Sequence, residues 1–251
     1  MFVSIPKMTK DERTKTMTMS KVNEKLRKEY KSIFDKLEKR GREHEYAWFQ
    51  AQGNPKSQKR LMVVGRAVRG WAKYHVGNDN FNALYSPKIS PFCPDGDIET
   101  YFREDSGYNI NRSAFWRTAR IVACGLYNCK RENFGNALSY SNLYKVALPD
   151  KNPDSELIKI QQMECIEILR QEIQLFKPAN ILFLTGWEWA DPFLADFEKN
   201  DGLKCPKTVP KYDRIEIIGA YPNGCRIAVI PHPQGKEESL LANQVIAFFR
   251  E

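Results

Sequence analysis

The apolar positions change their period along the chain. Val22, Leu26, Tyr30, Ile33, Phe34 and Leu37 recur at steps of three and four with Lys and Glu between them, which predicts one amphipathic helix from about Ser20, ended near Gly41. A second short helix is expected to carry Tyr46, Trp48 and Phe49 before the break Gly53-Asn54-Pro55. From residue 60 the pattern becomes short apolar runs alternating with helical stretches. Strands are predicted at 60–64, within 138–148, at 181–185, and as a neighbouring pair at 214–218 and 226–230 around the turn Tyr221-Pro222-Asn223-Gly224. Helices are predicted at 113–127, 155–176 and 238–249. Strands that alternate with helices make a mainly parallel sheet covered on both faces. The expected fold is therefore α/β: a single three-layer α/β/α domain over residues 60–251, preceded by a basic arm and helical extension over 1–59. The stretch 72–108, broken by Pro87, Pro91, Pro94, Gly96 and Gly107, is long and irregular, the kind of loop that usually serves function.

Charge and composition narrow this picture. A length of 251 residues with 42% hydrophobic side chains suits one sizeable core. No run approaches the length of an apolar membrane span, and Met1-Phe2-Val3-Ser4-Ile5-Pro6-Lys7 lacks the apolar segment of a signal peptide, so a cytoplasmic location away from membranes is expected. The net charge of +8 is unevenly placed: residues 1–60 hold 16 Lys/Arg against 8 Asp/Glu, and residues 61–251 hold 23 of each. That basic segment either adds phosphate affinity or is the solvated face of a helix. Cys93, Cys124, Cys129, Cys165, Cys205 and Cys225 form no CxxC pair and have no histidine at zinc spacing, so reduced thiols are expected and neither metal nor cofactor is implied. The phosphate loop and the GxGxxG fingerprint of common nucleotide enzymes are also missing.

Ligands of parallel α/β sheets bind beyond the carboxyl ends of the strands. Four segments meet that test: Gly65–Trp71, Asn142–Lys145, Gly186–Trp189 and Pro231–Lys236. In order, the chain shows a strand running into the glycine-containing loop Gly65-Arg66-Ala67-Val68-Arg69-Gly70, then Ser141-Asn142-Leu143-Tyr144-Lys145-Val146-Ala147-Leu148-Pro149. Next comes Leu175-Phe176-Lys177-Pro178 before an apolar strand closed by Gly186, and last Ile227-Ala228-Val229-Ile230-Pro231-His232-Pro233. Taken together these stations resemble the uracil-DNA glycosylase superfamily, its thermostable and mismatch-specific branches more than the classical one, over roughly residues 60–251.

The resemblance implies a DNA partner, single-stranded or duplex, and a flipped modified base such as uracil. It makes His232 the donor that stabilises the departing base. Asn142 becomes the reader of the base edge, since one amide offers an acceptor and two donors. Gly65 and Ala67 would cradle the base with backbone, and Phe92 would stack on it, with Tyr85 or Trp71 as substitutes. Arg66, Arg69, Lys73, Lys145 and Lys236 would gather phosphates. Against each role stands an ordinary one: a capping amide, a structural histidine, a core aromatic, a solvated cation. One departure matters most. Active members carry an Asp, Asn or Glu in the first loop to position water, and here Arg66 or Ala67 stands in that place, neither able to accept a proton. Two functions remain open: a glycosylase that hydrolyses the N-glycosidic bond of uracil or another modified base, borrowing a carboxylate such as Asp79, Asp95 or Asp97, or a binding module with little or no catalysis.

Overall fold

The structure is a computed structural model that describes residues 10–40, 45–51, 53, 61–68, 72–77, 79, 81–85, 110–149, 151–206 and 211–251, with the side chains of the first helix described from Val22 onward. Its centre is a five-stranded sheet made of β2 (Leu61–Ala67), β4 (Leu138–Tyr144), β6 (Asn180–Phe183), β7 (Ile217–Ala220) and β8 (Arg226–Val229), in the order β4-β2-β6-β8-β7. The first four are parallel, and β7 closes the edge antiparallel to β8. Leu61, Met62, Val63 and Val64 are fully buried, as are Ile181, Leu182 and Phe183, which is why these strands read as continuous apolar runs.

The helices around it are α3 (Ala114–Tyr127), α4 (Ser155–Phe176), α5 (Trp187–Asn200) and α6 (Glu238–Arg250), with a short α2 (Phe81–Leu84) near the small sheet described below. Side chains define the starts of α3 and α4. The Ser113 hydroxyl accepts from the backbone N–H of Trp116, and an Asp154 carboxylate oxygen accepts from that of Leu157 at 2.8 Å. Asn128 and Lys177 end α3 and α4 in the left-handed conformation, and Pro178 prevents α4 from continuing. The chain runs from β2 through α3 to β4 on one side, then through α4 back past β2 to β6. Right-handed crossovers place α3 and α4 on opposite faces of the sheet, with α5 beside α4. α6 packs on α3, and the long first helix α1 (Lys10–Lys39) packs along α4. The result is the expected layered α/β arrangement.

The N-terminal region differs from expectation in two ways. The helix begins at Lys10, before the apolar stripe starts. Residues 45–48, expected to be helical, form the strand β1 (Glu45–Trp48). It lies between β3 (Ala72–His75) and β5 (Val146–Ala147) in a separate three-stranded sheet, order β3-β1-β5. A four-residue segment with Tyr and Trp is too short to sustain a helix, and pairing on both edges satisfies its backbone while burying its aromatic rings. Leu26, Tyr30, Ile33, Phe34 and Leu37 are all buried, so from Val22 the extension is built into the body of the protein. Tyr85, one of the proposed stacking rings, belongs to this cluster: it stacks on Phe81 and leans on Tyr30. Among the described residues no helix is long and apolar enough to cross a membrane.

Candidate functional site

β2, β4, β6 and β8 are parallel, so their carboxyl ends share one edge of the sheet, and the crevice considered as the site is the one at that edge. Gly65 pairs in register with Asn142 on one side, and on the other Leu184 donates its N–H to Val64. Gly186 in turn donates to Ile230, bringing the end of β8 and His232 to the same edge.

Asn142 is fully buried. Its Oδ1 accepts from the Tyr140 hydroxyl at 3.0 Å, while its Nδ2 has no hydrogen-bond partner among the described residues. A buried donor left unpaired costs about 1–3 kcal/mol, so the position is one where a ligand oxygen would be welcome. Gly65 makes the arrangement possible. A β-carbon at residue 65 would collide with Asn142 Oδ1 and would also meet Phe115 Cε2 and the Tyr140 hydroxyl oxygen, each at 3.4 Å. The half-buried Phe115 ring packs edge-on against Tyr140, centroids 5.5 Å apart, and walls this end of the crevice.

Arg66 occupies the other end. Its Nε donates to the Thr185 carbonyl at 2.6 Å, and its guanidinium lies over the Trp189 ring, 5.4 Å from the centroid. Partial burial lowers the Arg66 pKa, and the carboxylates of Glu216 and Glu188 oppose that shift. Glu216 also accepts the first backbone N–H of α5, from Trp187 at 2.6 Å, so it caps a helix N-terminus beside the guanidinium. Gly186 sits at φ +78°, in the positive-φ region that glycine adopts without strain, and a β-carbon there would make only ordinary contacts, 3.5 Å from Arg66 Nη2 and 3.8 Å from Glu216 Oε2.

His232 is half-buried. Burial lowers its pKa and the charge of Arg66 lowers it further, so the ring is neutral at pH 7. Its Nδ1 faces the backbone N–H of Gln234 at 3.4 Å and acts as acceptor, which assigns the ring proton to Nε2. The crevice therefore offers hydrogen-bond donors of three kinds, amide, guanidinium and neutral imidazole.

Other expected site residues lie elsewhere. Lys145 was expected to meet phosphate, but it is fully buried and donates from Nζ to Ser141 Oγ, the Asn142 carbonyl and Glu172 Oε2 at 2.7, 2.7 and 2.9 Å. An ammonium committed to a buried carboxylate has no access to DNA; it is a corrected assignment, because desolvating Lys145 requires that partner. Lys73 sits on β3 in the small sheet, paired with Glu45 at 2.9 Å, and not at the carboxyl edge of the main sheet. Arg66 faces the crevice, but its engagement with Thr185 and Trp189 makes it part of the wall and not a free phosphate ligand. Lys236 is exposed on the turn after His232, and Ala67 ends β2 opposite Tyr144. Asp79 cannot be borrowed as a base, since it accepts the His75 backbone N–H at 2.7 Å and faces the ring Nδ1 at 3.0 Å. Phe92, Arg69, Trp71, Asp95 and Asp97 lie outside the described residues.

Phe115, Tyr140, Thr185 and Glu216 are crevice residues that the sequence reading missed, and Trp189 lay within the expected segment Gly186–Trp189 without a role assigned to it. A signal existed for two of them. Adjacent or alternate aromatics at a helix start, as in Phe115-Trp116 and Trp187-Glu188-Trp189, point about 100° apart per residue and cannot all enter the core. Trp116 is buried, Phe115 and Trp189 only partly.

Comparison with known proteins finds no family model that matches the chain and no curated protein that matches it.

Proposed function

We propose that the protein binds a nucleobase carried on DNA in the crevice between β2, β4, β6 and β8, in the manner of a uracil-DNA glycosylase. The observation that carries this reading is the buried Asn142 amide, whose Nδ2 lacks a partner among the described residues and whose Oδ1 lies over Gly65. One lone pair of Oδ1 is used by Tyr140, leaving the other to accept a pyrimidine N3–H while Nδ2 donates to O4. Phe115 supplies a ring at this end. His232, with its proton on Nε2, donates to the base O2, and Arg66 adds positive potential where an anionic base would depart.

The wild-type protein on this reading is a binder that cleaves weakly. Neither Arg66 nor Ala67 can position water, Asp79 is engaged with His75, and Glu216 is held at the start of α5. Hydrolysis of the N-glycosidic bond is the second reading, favoured by the neutral His232 beside a cation. Single-stranded and duplex oligonucleotides bearing one uracil, or thymine as control, distinguish the two. Binding is followed by fluorescence anisotropy and excision by alkaline cleavage of abasic sites. Preferential binding of the uracil strand, lost in Asn142→Ala and in His232→Ala, with slow or no excision, is the expected result. Affinity indifferent to both the base and Asn142 would overturn the proposal.

A further inference from the structure

At the far end of α3 from Phe115, two thiols lie against each other. Cys124 is in the last turn of the helix and Cys129 follows its end, with the sulfurs 3.3 Å apart and both residues half-buried. Five helical steps would turn the two side chains about 140° apart. The left-handed Asn128, at φ 49°, reverses the chain after Tyr127 and folds Cys129 back under Cys124. The contact is thus made by the helix-ending turn. The other described cysteines have no such neighbour: Cys165 and Cys225 are buried on α4 and before β8, and Cys205 lies near Glu198 beyond the end of α5.

We propose that Cys124 and Cys129 form a redox-active dithiol that closes to an intramolecular disulfide by exchange with a low-molecular-weight disulfide such as oxidised glutathione. Cys124 as thiolate, accepting the Cys129 S–H, attacks one sulfur of the glutathione disulfide; that S–S bond breaks and one glutathione thiolate leaves. Cys129, losing its proton to solvent, then attacks the Cys124 sulfur of the mixed disulfide and displaces the second glutathione. Two protein thiols are oxidised, one glutathione disulfide is reduced to two thiols, and the two protons released by the protein end on them. A second thiol already in contact makes the closing step intramolecular, so the mixed disulfide does not accumulate.

The whole chain is incubated with oxidised glutathione, quenched in acid, alkylated and digested with trypsin. Cleavage after Arg120 and Lys130 releases Ile121-Val122-Ala123-Cys124-Gly125-Leu126-Tyr127-Asn128-Cys129-Lys130, which carries both thiols. The expected product is this peptide lighter by two hydrogens and unalkylated, restored by dithiothreitol. Cys124→Ser and Cys129→Ser should each leave a stable glutathione adduct on the remaining cysteine, whereas Cys205→Ser should behave as the wild type. Double alkylation of the peptide, a persistent adduct in the wild-type protein, or linkage of either cysteine to Cys93, Cys205 or Cys225 would overturn the proposal. Circular dichroism of both serine variants checks that folding is retained.

Discussion

Asn142 reaches across β2 only because residue 65 has no side chain, so the two positions act as one. Gly65→Ala drives a methyl group into the amide; overpacking of this kind costs typically about 1–3 kcal/mol, and base-dependent binding should fall with it. Catalysis can be tested beside it. Ala67→Asp or Ala67→Asn places an acceptor at the end of β2 and should raise uracil excision, since one positioned acid–base group is worth about 10² to 10⁴ in rate. Adding His232→Ala should remove the gain, as read by alkaline cleavage; no gain in any folded rescue variant would assign the pocket to binding alone. Position 67 is the better choice, because Arg66→Glu would also bring a carboxylate toward Glu216 and strip the Trp189 face. Much of this edge was legible as motif order, including Asn142, His232 and the glycines that close strands. Lys145 was not. A lysine at the end of a strand reads as exposed, and its buried partner Glu172 lies on another element, which no local pattern connects to it.

The same ion pair joins three elements. Lys145 follows β4, Glu172 lies on α4, and the Tyr30 hydroxyl of α1 reaches Glu172 Oε1 at 3.5 Å. Burial pushes the Glu172 carboxyl up, while the Lys145 charge and the Ser141 hydroxyl pull it back. Lys145→Met leaves that carboxyl without its cation and should cost about 3–5 kcal/mol in urea unfolding, with much of the loss recovered in Lys145→Met/Glu172→Gln. Stability equal to the wild type in the single variant would show that the pair contributes no net energy. In the small sheet, His75 Nδ1 faces Asp79 and Nε2 faces Glu45, both at 3.0 Å, and these hydrogen bonds raise its pKa above the ordinary 6.5. A raised histidine stabilises the folded state fully below its unfolded pKa and loses that contribution as pH rises through the folded value. The melting-temperature gap between wild type and His75→Ala should therefore be wider at about pH 6 than at about pH 9. An equal gap at both would show the histidine charge to be irrelevant. α3, α4 and α6 were readable from their 3.6-residue period and end signals, whereas α5 (Trp187–Asn200) was not among the expected helices. β1 was not, because its strand state depends on β3 and β5, which lie far along the chain.

At the scale of the whole molecule, the basic excess coincides with a helix whose apolar stripe is buried in the core. Removal of residues 1–20, which carry Lys7, Lys10, Arg13 and Lys15, should leave the fold intact. If those cations meet phosphate, the salt dependence of DNA binding becomes shallower, because each lost contact reduces counterion release. An unchanged slope with intact binding assigns them to the solvated helix face. Removal of residues 1–50 is a different operation: it uncovers α4 and deletes β1, and thermal unfolding should then be lost or broadened. The placement of α1 also sets an order of events during synthesis. Its stripe emerges early, yet its partner α4 ends at Phe176, and β1 waits for β5 at Val146. For more than a hundred residues of elongation, the nascent chain presents Leu26, Tyr30, Ile33, Phe34 and Leu37 without α4, and among the described residues only the rings of Trp48, Tyr74, Phe81 and Tyr85 are there to meet part of the stripe. Contacts so distant in sequence slow folding and expose apolar surface to association. Nascent chains stalled before residue 155 should therefore be bound by holding chaperones through this helix, and released once α4 has left the ribosome.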